Sequence, residues 1–220
     1  DIIAFYYDSE SDRGILFRDD YEILSYETGD SYPTYVGEHS LSPNNVGGFF
    51  YDRESDRGII FEDGTSDSYS DVFSYDFNND DFEALDDLPS GFNHPVASVY
   101  DWESDRGIVV EQNTGGYDVW SYDFNNDEWT QKTDQSGLTD VTAYYYSPID
   151  DASIFLEGTP QGGDTYRYDL NSDSWTQLND HNFNNLESFI YDSKYNRGIF
   201  RGNYDQNNDL KAHHHHEEEW

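Results

Sequence analysis

Three segments of the chain place acidic and amide side chains at alternate positions, in the pattern Asp-x-Asn-x-Asp. Oxygen ligands spaced in this way resemble the first half of a calcium-binding loop, which needs about six to eight oxygens, but the glycine and the closing glutamate of an EF-hand are missing. Asn and Asp also form turns and tolerate left-handed backbone. The sequence therefore allows turns, which we prefer, or calcium sites. The residues are Asp76, Asn78 and Asp80; Asp123, Asn125 and Asp127; and Asp169, Asn171 and Asp173.

A second regular feature is an aspartate followed five residues later by an arginine. Across a tight hairpin, this separation can bring the guanidinium back to the carboxylate as a bidentate pair. We predict that these pairs are structural and clamp repeated hairpins, whereas the alternative is a ring of arginines that binds an anion. The pairs are Asp8 with Arg13, Asp52 with Arg57, Asp101 with Arg106, and Asp192 with Arg197.

Other residues that could carry chemistry give no catalytic assignment. The chain has no Cys, which excludes thiolate metal sites, disulfides and cysteine nucleophiles. It lacks the G-x-S-x-G, Walker and H-E-x-x-H motifs. Three origins are possible for the run His213–His216 and the glutamates 217–219: native sequence, an affinity tag, or misassigned residues. We assign no function to this segment. His39, His94 and His181 are predicted to be ordinary loop residues near the connections between repeats.

The charge of the chain limits its partners. A net charge of −36 repels nucleic acid phosphates and anionic lipid surfaces. No apolar stretch is long enough to predict a membrane-spanning helix. Aromatic residues make up 18% of the chain, which indicates a folded protein because highly charged disordered chains contain few of them.

The elements that must position these residues are repeated along the chain. The string ESDRGI occurs at 10–15, 54–59 and 103–108, with the weaker copy YNRGIF at 195–200. The second half of the repeat occurs at 71–82, 118–129 and 164–175. Together these strings define five copies of a unit of about 46 residues.

Each unit is predicted to contain four short strands joined by tight turns. Apolar and β-branched segments alternate with stretches rich in Gly, Asn, Asp and Ser, and no segment has a sustained helical period. This pattern predicts an all-β fold, a β-propeller of about five four-stranded blades within one domain, 1–220. The last blade is either abbreviated or continued in a longer chain. The predicted blades are about 1–44, 45–92, 93–138, 139–184 and 185–220.

The repeats resemble the kelch family. The pattern YD-x-ESDRGI, followed by D-V-W-S-YD-x-N-x-D-x-W, is similar to kelch blades in its Tyr-Asp pair, its late Trp and its length. The chain departs from that family after the second strand, where FRDD, FEDG, VEQN, LEG and FRGN replace the usual Gly-Gly pair. The resemblance implies a divergent kelch-like propeller.

These observations predict a non-enzymatic binding or scaffold module that presents loops to a protein or glycan partner. Trp102, Trp120 and Tyr117 are candidates for stacking on sugar rings. The alternative is a glycan-active hydrolase or lyase with carboxylates clustered at the mouth of a central channel. We expect no cofactor other than calcium. The acidic composition suits an extracellular or cell-surface location, or else the cytoplasm of a salt-loving microbe.

Overall fold

A computed structural model of the chain describes ten ranges of residues. Within them the protein is all β, which confirms the predicted fold class, and no helix there is long and apolar enough to cross a membrane. The described residues are 1–41, 46–63, 71–92, 94–113, 116–158, 163–181, 184–192, 194–195, 197–204 and 207–213.

The described strands form five sheets, each following the order of the chain. Four sheets have four strands and the fifth has three. The first comprises β1 (Ile2–Asp8), β2 (Arg13–Arg18), β3 (Glu22–Glu27) and β4 (Thr34–Glu38). The second comprises β5 (Val46–Asp52), β6 (Arg57–Glu62), β7 (Val72–Asp76) and β8 (Asp81–Ala84). The third comprises β9 (Pro95–Asp101), β10 (Arg106–Asn113), β11 (Gly116–Asp123) and β12 (Glu128–Gln131). The fourth comprises β13 (Val141–Ser147), β14 (Ala152–Glu157), β15 (Thr165–Asp169) and β16 (Ser174–Gln177). The fifth comprises β17 (Asn184–Asp192), β18 (Arg197–Tyr204) and β19 (Asn207–His213).

The chain divides into two compact units. The first contains Asp1–Gln112 and Trp120–Thr130, and the second contains Asn113–Val119 and Gln131–Trp220. Within the first unit, β1 lies beside β5 and β5 lies beside β9; within the second, β13 lies beside β17. The single domain over 1–220 stays a prediction.

The hydrophobic core lies between consecutive sheets. In the first unit, Tyr6 stacks on Tyr51 with ring centroids 5.5 Å apart, and Phe50 stacks on Tyr100 at 6.2 Å. In the second unit, Tyr145 stacks on Tyr191 at 5.5 Å. Much of the aromatic content therefore fills the spaces between sheets and is not available to a ligand.

The glycine of the D-R-G string makes this close approach possible. A Cβ added to Gly58 would lie 2.0 Å from the Tyr6 ring of the preceding sheet, and one added to Gly107 would lie 2.2 Å from the Phe50 ring. Gly14 holds the same position in the first sheet, but the nearest atom to its added Cβ is 3.8 Å away. Among the described residues, a ring thus covers this glycine in the second and third sheets, whereas none lies within 4 Å of the added Cβ in the first.

We predict that Gly58→Ala lowers the free energy of unfolding by about 1–3 kcal/mol because the methyl group overlaps the Tyr6 ring. Gly14→Ala is the matched control and should be neutral or slightly stabilising, since the methyl group has room and the unfolded chain loses freedom. Urea denaturation of the two variants measures this difference. Equal changes in the free energy of unfolding for the two variants would contradict the packing of the Tyr6 ring on Gly58.

Candidate functional site

A tyrosine one residue before the end of a strand donates its hydroxyl hydrogen to the aspartate five residues later, in seven turns of the described chain. Three of these bonds close turns between first and second strands: Tyr51 to Asp56 (2.5 Å), Tyr100 to Asp105 (2.6 Å) and Tyr146 to Asp151 (2.7 Å). Three more close turns between third and fourth strands: Tyr75 to Asp80 (2.9 Å), Tyr122 to Asp127 (2.6 Å) and Tyr168 to Asp173 (2.7 Å). Tyr7 and Asp12 form the seventh pair. We call this arrangement the Tyr–Asp lock.

The accepting aspartate of each lock has left-handed backbone. The φ angles of Asp12, Asp56, Asp80, Asp105, Asp127, Asp151 and Asp173 lie between 45° and 57°. Asp is one of the few residues other than Gly that adopt this conformation readily. The position therefore favours an aspartate, which tolerates this backbone and supplies the accepting carboxylate.

A second carboxylate, at the start of the same turns, accepts backbone hydrogen bonds. Asp52 Oδ1 accepts the N–H groups of Glu54 and Ser55 at 3.0 and 3.1 Å. Asp123 accepts the backbone N–H of Asn126 at 3.2 Å and its side-chain amide at 2.5 Å. These Asx turns satisfy N–H groups that the ladder leaves free. The repeated aspartates thus build the turns.

The predicted Asp–Arg pairs face each other in the ladders, but three of the four arginines bind a different carboxylate. The facing positions are Asp8 and Arg13, Asp52 and Arg57, Asp101 and Arg106, and Asp192 and Arg197. The nearest ion pairs are Arg13 with Glu27 (3.3 Å), Arg57 with Asp76 (3.6 Å), Arg106 with Asp123 (2.8 Å) and Arg197 with Asp192 (3.0 Å). In the first three sheets the first aspartate is occupied by the turn, and the guanidinium reaches the third strand.

The oxygens of the Asp-x-Asn-x-Asp segments do not converge on one point. Asp76, Asp123 and Asp169 accept hydrogen bonds from their own turns, while Asp80, Asp127 and Asp173 accept the tyrosine hydroxyls. Asn78, Asn125 and Asn171 donate to Asp56, Asp105 and Asp151 in the neighbouring turn of the same sheet, at 2.5–2.6 Å. Among the described residues, no three His, Asp or Glu side chains are grouped to hold a metal ion. This geometry favours the turn interpretation, and calcium binding stays a prediction from the sequence.

Two tyrosines of the locks are held in the protonated form. Burial, together with the hydrogen bond to Asp80, raises the pKa of Tyr75, and burial with the bond to Asp127 does the same for Tyr122. Burial also raises the pKa of the Asp52 carboxyl. In these two locks the phenol therefore stays neutral and acts as a donor.

An exposed ledge at the turns of the second and third sheets is the best candidate for a binding site. Arg53 and Trp102 hold the same position in the strings YD-R-ESD and YD-W-ESD, and the Arg53 guanidinium carbon lies 5.2 Å from the Trp102 ring centroid. Trp102 is 41% exposed. With Glu54 and the Tyr100 ring they line an open cavity of about 320 Å³. We call Arg53, Glu54 and Trp102 the Arg–Trp ledge.

The ledge is supported by the lock beneath it. The Tyr100 hydroxyl donates to Asp105 and also lies 3.4 Å from the backbone N of Glu54. In the part of the chain that the structure describes, no carboxylate lies within ion-pair distance of Arg53. The ledge thus offers a flat aromatic ring, a stacked guanidinium and one carboxylate to a ligand.

Two of the three aromatic residues predicted to stack on sugars lie elsewhere. Tyr117 is only 4% exposed, and its hydroxyl donates to the Thr139 carbonyl at 2.7 Å. Trp120 packs against Phe92 with ring centroids 6.3 Å apart, at the edge of a core cluster. Of the predicted candidates, Trp102 alone lies on the ledge.

Sequence reasoning missed a structural role for two histidines. His39 and His181 are buried, and their Nε2 atoms lie 2.8 Å from the Arg18 carbonyl and 2.6 Å from the Glu157 carbonyl. Each of these carbonyls belongs to the last residue of a second strand. Burial lowers the pKa of both imidazoles, so each is held neutral. One indication of this role was present in the sequence: both histidines lie a few residues before the first strand of the next sheet.

Comparison with known proteins bears on the fold. No family model and no curated protein matches the sequence. The nidogen/laminin complex matches with a TM-score of 0.64 and 12% identity, over 99% of this chain and 81% of that one. TolB from Acinetobacter baumannii matches with a TM-score of 0.61 and 14% identity, over 91% of this chain and 48% of that one. The fold is a β-propeller.

A third match is a structural genomics protein of unknown function from Bacteroides thetaiotaomicron. Its TM-score is 0.68 at 10% identity, over 94% of this chain and 54% of that one. The present chain thus spans about half the length of the TolB and Bacteroides chains. At these identities the likeness concerns the propeller fold alone.

We predict that Asp127→Ala lowers the free energy of unfolding by about 1–3 kcal/mol, because it removes the Tyr122 hydrogen bond and strains a left-handed position. Asp127→Asn should cost less, since Asn tolerates this backbone and keeps an acceptor oxygen. Glu128→Ala, at the exposed neighbouring residue, is the control. Urea denaturation gives the three values, and a loss no greater for Asp127→Ala than for Glu128→Ala would argue against the lock.

Proposed function

We propose that this chain is a non-enzymatic binding module, a divergent kelch-like propeller that engages a partner protein through the Arg–Trp ledge. The observation that carries the proposal is the stacked, exposed pair of Arg53 and Trp102 beside an open cavity. Trp, Tyr and Arg are the residues that most often dominate the binding energy of protein interfaces. Arg53 and Trp102 of the ledge line one cavity together with the Tyr100 ring.

The arrangement of the carboxylates supports binding over catalysis. Glycoside hydrolysis requires two carboxylates on opposite sides of the scissile bond, with one of them available as an acid. The repeated aspartates are engaged by turn N–H groups and tyrosine hydroxyls. Among the residues that line the ledge cavity, Glu54 is the only carboxylate. A module that holds a ligand without transforming it fits this arrangement better.

The charge of the chain indicates the chemistry of the partner. A protein with a net charge of −36 attracts basic surfaces over long distances and repels acidic ones. A structural neighbour was solved as a complex of nidogen with laminin, so a propeller of similar fold takes part in a protein assembly there. We therefore infer a basic protein partner, at an extracellular or cell-surface location.

A glycan is the second candidate ligand, and Trp102 is the observation that favours it. An exposed indole can stack on the apolar face of a sugar, while Glu54 and Arg53 are placed to accept from and donate to its hydroxyls. The same ledge would serve both ligands. The experiment must therefore include both.

We predict that Trp102→Ala weakens ligand binding at least about tenfold without changing the melting temperature, because the indole is an exposed anchor. The probes are peptides selected from a display library on the immobilised chain, and an array of neutral oligosaccharides. Tyr32→Ala is the matched control, since Tyr32 is 82% exposed and lies in the first sheet's last connection.

The outcomes separate the candidates. Basic peptides that lose binding with Trp102→Ala but not with Tyr32→Ala support a protein partner, and oligosaccharides that do so support a glycan. If the ligands bind the Trp102→Ala chain as tightly as the original chain, the ledge is not their binding site. Cleavage of the oligosaccharides on the array would contradict a non-enzymatic module and would support the glycan-active enzyme instead.

A further inference from the structure

Where consecutive sheets of the first unit meet, one tyrosine hydroxyl joins two aspartates. The Tyr100 hydroxyl donates to Asp105 Oδ1 at 2.6 Å and also forms a hydrogen bond with Asp52 of the preceding sheet. Asp52 ends β5 and is only 1% exposed. Between the first and second sheets, the Tyr51 hydroxyl lies 2.8 Å from Asp8 in the same way. We call Asp52, Tyr100 and Asp105 the phenol bridge.

The phenol bridge has one hydrogen too few when both aspartates are ionised. A phenol carries a single hydroxyl hydrogen, and an ionised carboxylate can only accept. If Asp105 takes that hydrogen, an Asp52 oxygen faces the Tyr100 oxygen with no hydrogen between them. A proton taken up from water by Asp52 supplies the missing hydrogen. The bridge then has two complete hydrogen bonds and one negative charge instead of two.

The second unit shows a neutral donor at the position of Asp52. Ser147 ends β13 as Asp52 ends β5, and the Tyr191 hydroxyl forms a hydrogen bond with it. A serine hydroxyl carries its hydrogen at every pH and can donate it to a phenol oxygen. A side chain that donates to the tyrosine is therefore compatible with this contact between sheets.

The surroundings of Asp52 favour its protonated form. Burial raises the pKa of the Asp52 carboxyl and the charge of Asp105 raises it further, while hydrogen bonds to the carboxylate act in the opposite direction. Arg57 faces Asp52 in the ladder, but its guanidinium pairs with Asp76 at 3.6 Å. The titratable groups that meet Asp52 from the third sheet are Tyr100 and Asp105, and the charged side chains of its own hairpin are Arg53, Glu54, Asp56 and Arg57.

The phenol bridge joins the two turns that carry the Arg–Trp ledge. Arg53 directly follows Asp52, and Trp102 lies two residues after Tyr100, whose ring lines the ledge cavity. Asp52 Oδ1 accepts the backbone N–H of Glu54 at 3.0 Å, and the Tyr100 hydroxyl lies 3.4 Å from the same nitrogen. A change in the bridge therefore acts on both halves of the ledge.

We propose that a proton bound at Asp52 regulates the ledge, a regulation that rests on the proposed function of the ledge as a binding site. The protonated bridge holds Arg53 on the Trp102 ring. In the ionised bridge two carboxylates repel each other across one phenol, and the stack loosens. Because a pre-formed ledge costs a ligand less to order, mild acid strengthens binding.

The sign of this effect on stability follows from linkage. The folded chain binds the Asp52 proton more tightly than the unfolded chain, in which an Asp titrates near about 3.9. The contribution of Asp52 to stability is therefore smallest at neutral pH and increases as the pH falls through the raised pKa of the folded chain.

NMR titration of the full chain from about pH 8 to 3.5 tests the proton at Asp52, in about 0.5 M NaCl to screen the other carboxylates. We expect the Asp52 carboxyl carbon to titrate above the ordinary Asp value of about 3.9, and the Trp102 indole N–H and Arg53 Nε–H signals to shift with the same midpoint. The Trp129 indole, which packs on Phe61 at the other end of β6, is the internal control. An Asp52 midpoint at or below about 3.9, or ledge signals that do not follow it, would overturn the proposal.

Substitutions at Asp52 test whether this proton controls the ledge. Asp52→Asn donates an amide hydrogen at every pH, so its ledge signals at neutral pH should match those of the original chain in acid. Asp52→Ser copies Ser147 and should do the same. Asp8→Asn removes one charge at the same position of the first sheet, and this matched control should keep the pH-dependent shift. A shift that persists in both Asp52 variants, or that is also lost in Asp8→Asn, would contradict the proposal.

Peptide affinity separates this regulation from the proposed function. Peptides whose binding depends on Trp102, and which contain no His, Asp or Glu, are measured at about pH 4.5 and 7.5. We expect several-fold tighter binding by the original chain at the lower pH, and equal affinity at both pH values for Asp52→Asn. Equal affinity of the original chain at both pH values would overturn the regulation and leave the ledge as a binding site. If no peptide depends on Trp102, the proposed function fails, and the NMR titration alone decides whether a proton at Asp52 orders the ledge.

Discussion

The hydrogen bond from a tyrosine hydroxyl to a left-handed aspartate is the interaction on which the described structure depends. Left-handed backbone costs about 1–2 kcal/mol for a residue with a Cβ, less for Asp, and the phenol bond offsets that cost. Because the lock closes a turn of fixed length, it sets which residues face each other, as in Asp52 and Arg57. A register shift by one residue would turn every side chain to the other face.

The locks also connect consecutive sheets. The second oxygen of Asp127 accepts the N–H of Asp86, which follows the second sheet, at 2.9 Å. In the second unit, Asp173 accepts the N–H of Thr133 at 2.9 Å as well as the Tyr168 hydroxyl. One carboxylate thus holds the turn of its own sheet and also the segment that follows the preceding sheet. The acidity of this chain is in part a consequence of how its sheets are built.

The sequence was sufficient to predict the sheets because their determinants are local and repeated. Strand segments, turn strings and the all-β class follow from patterns that occur several times. The partners of the arginines could not be predicted, since spacing gives the facing residue but not the direction of a long side chain. Arg13 shows this: it faces Asp8 in one ladder and Glu27 in the other, and it binds Glu27.

The candidate site was harder to predict because it combines residues from different repeats. Arg53 and Trp102 become neighbours only when two sheets pack, and each occurs once at its turn position. Trp102 was a candidate for its residue type alone, together with Tyr117, which the fold buries. A pattern shared by all repeats predicts architecture, whereas a binding site depends on the positions at which the repeats differ.

Spectrophotometric titration of the tyrosines, followed together with far-UV circular dichroism, tests the central claim most directly. Burial and the hydrogen bond to aspartate raise the pKa of Tyr75, Tyr100 and Tyr122 in the folded chain, whereas unfolded tyrosine ionises near pH 10. Above pH 10 the unfolded state therefore releases more protons, and folding stability falls as the pH rises. The account predicts that exposed tyrosines ionise near pH 10, and that the locked ones ionise at higher pH in one step with loss of the β signal. Ionisation of all 20 tyrosines near pH 10 with the β signal intact would contradict it.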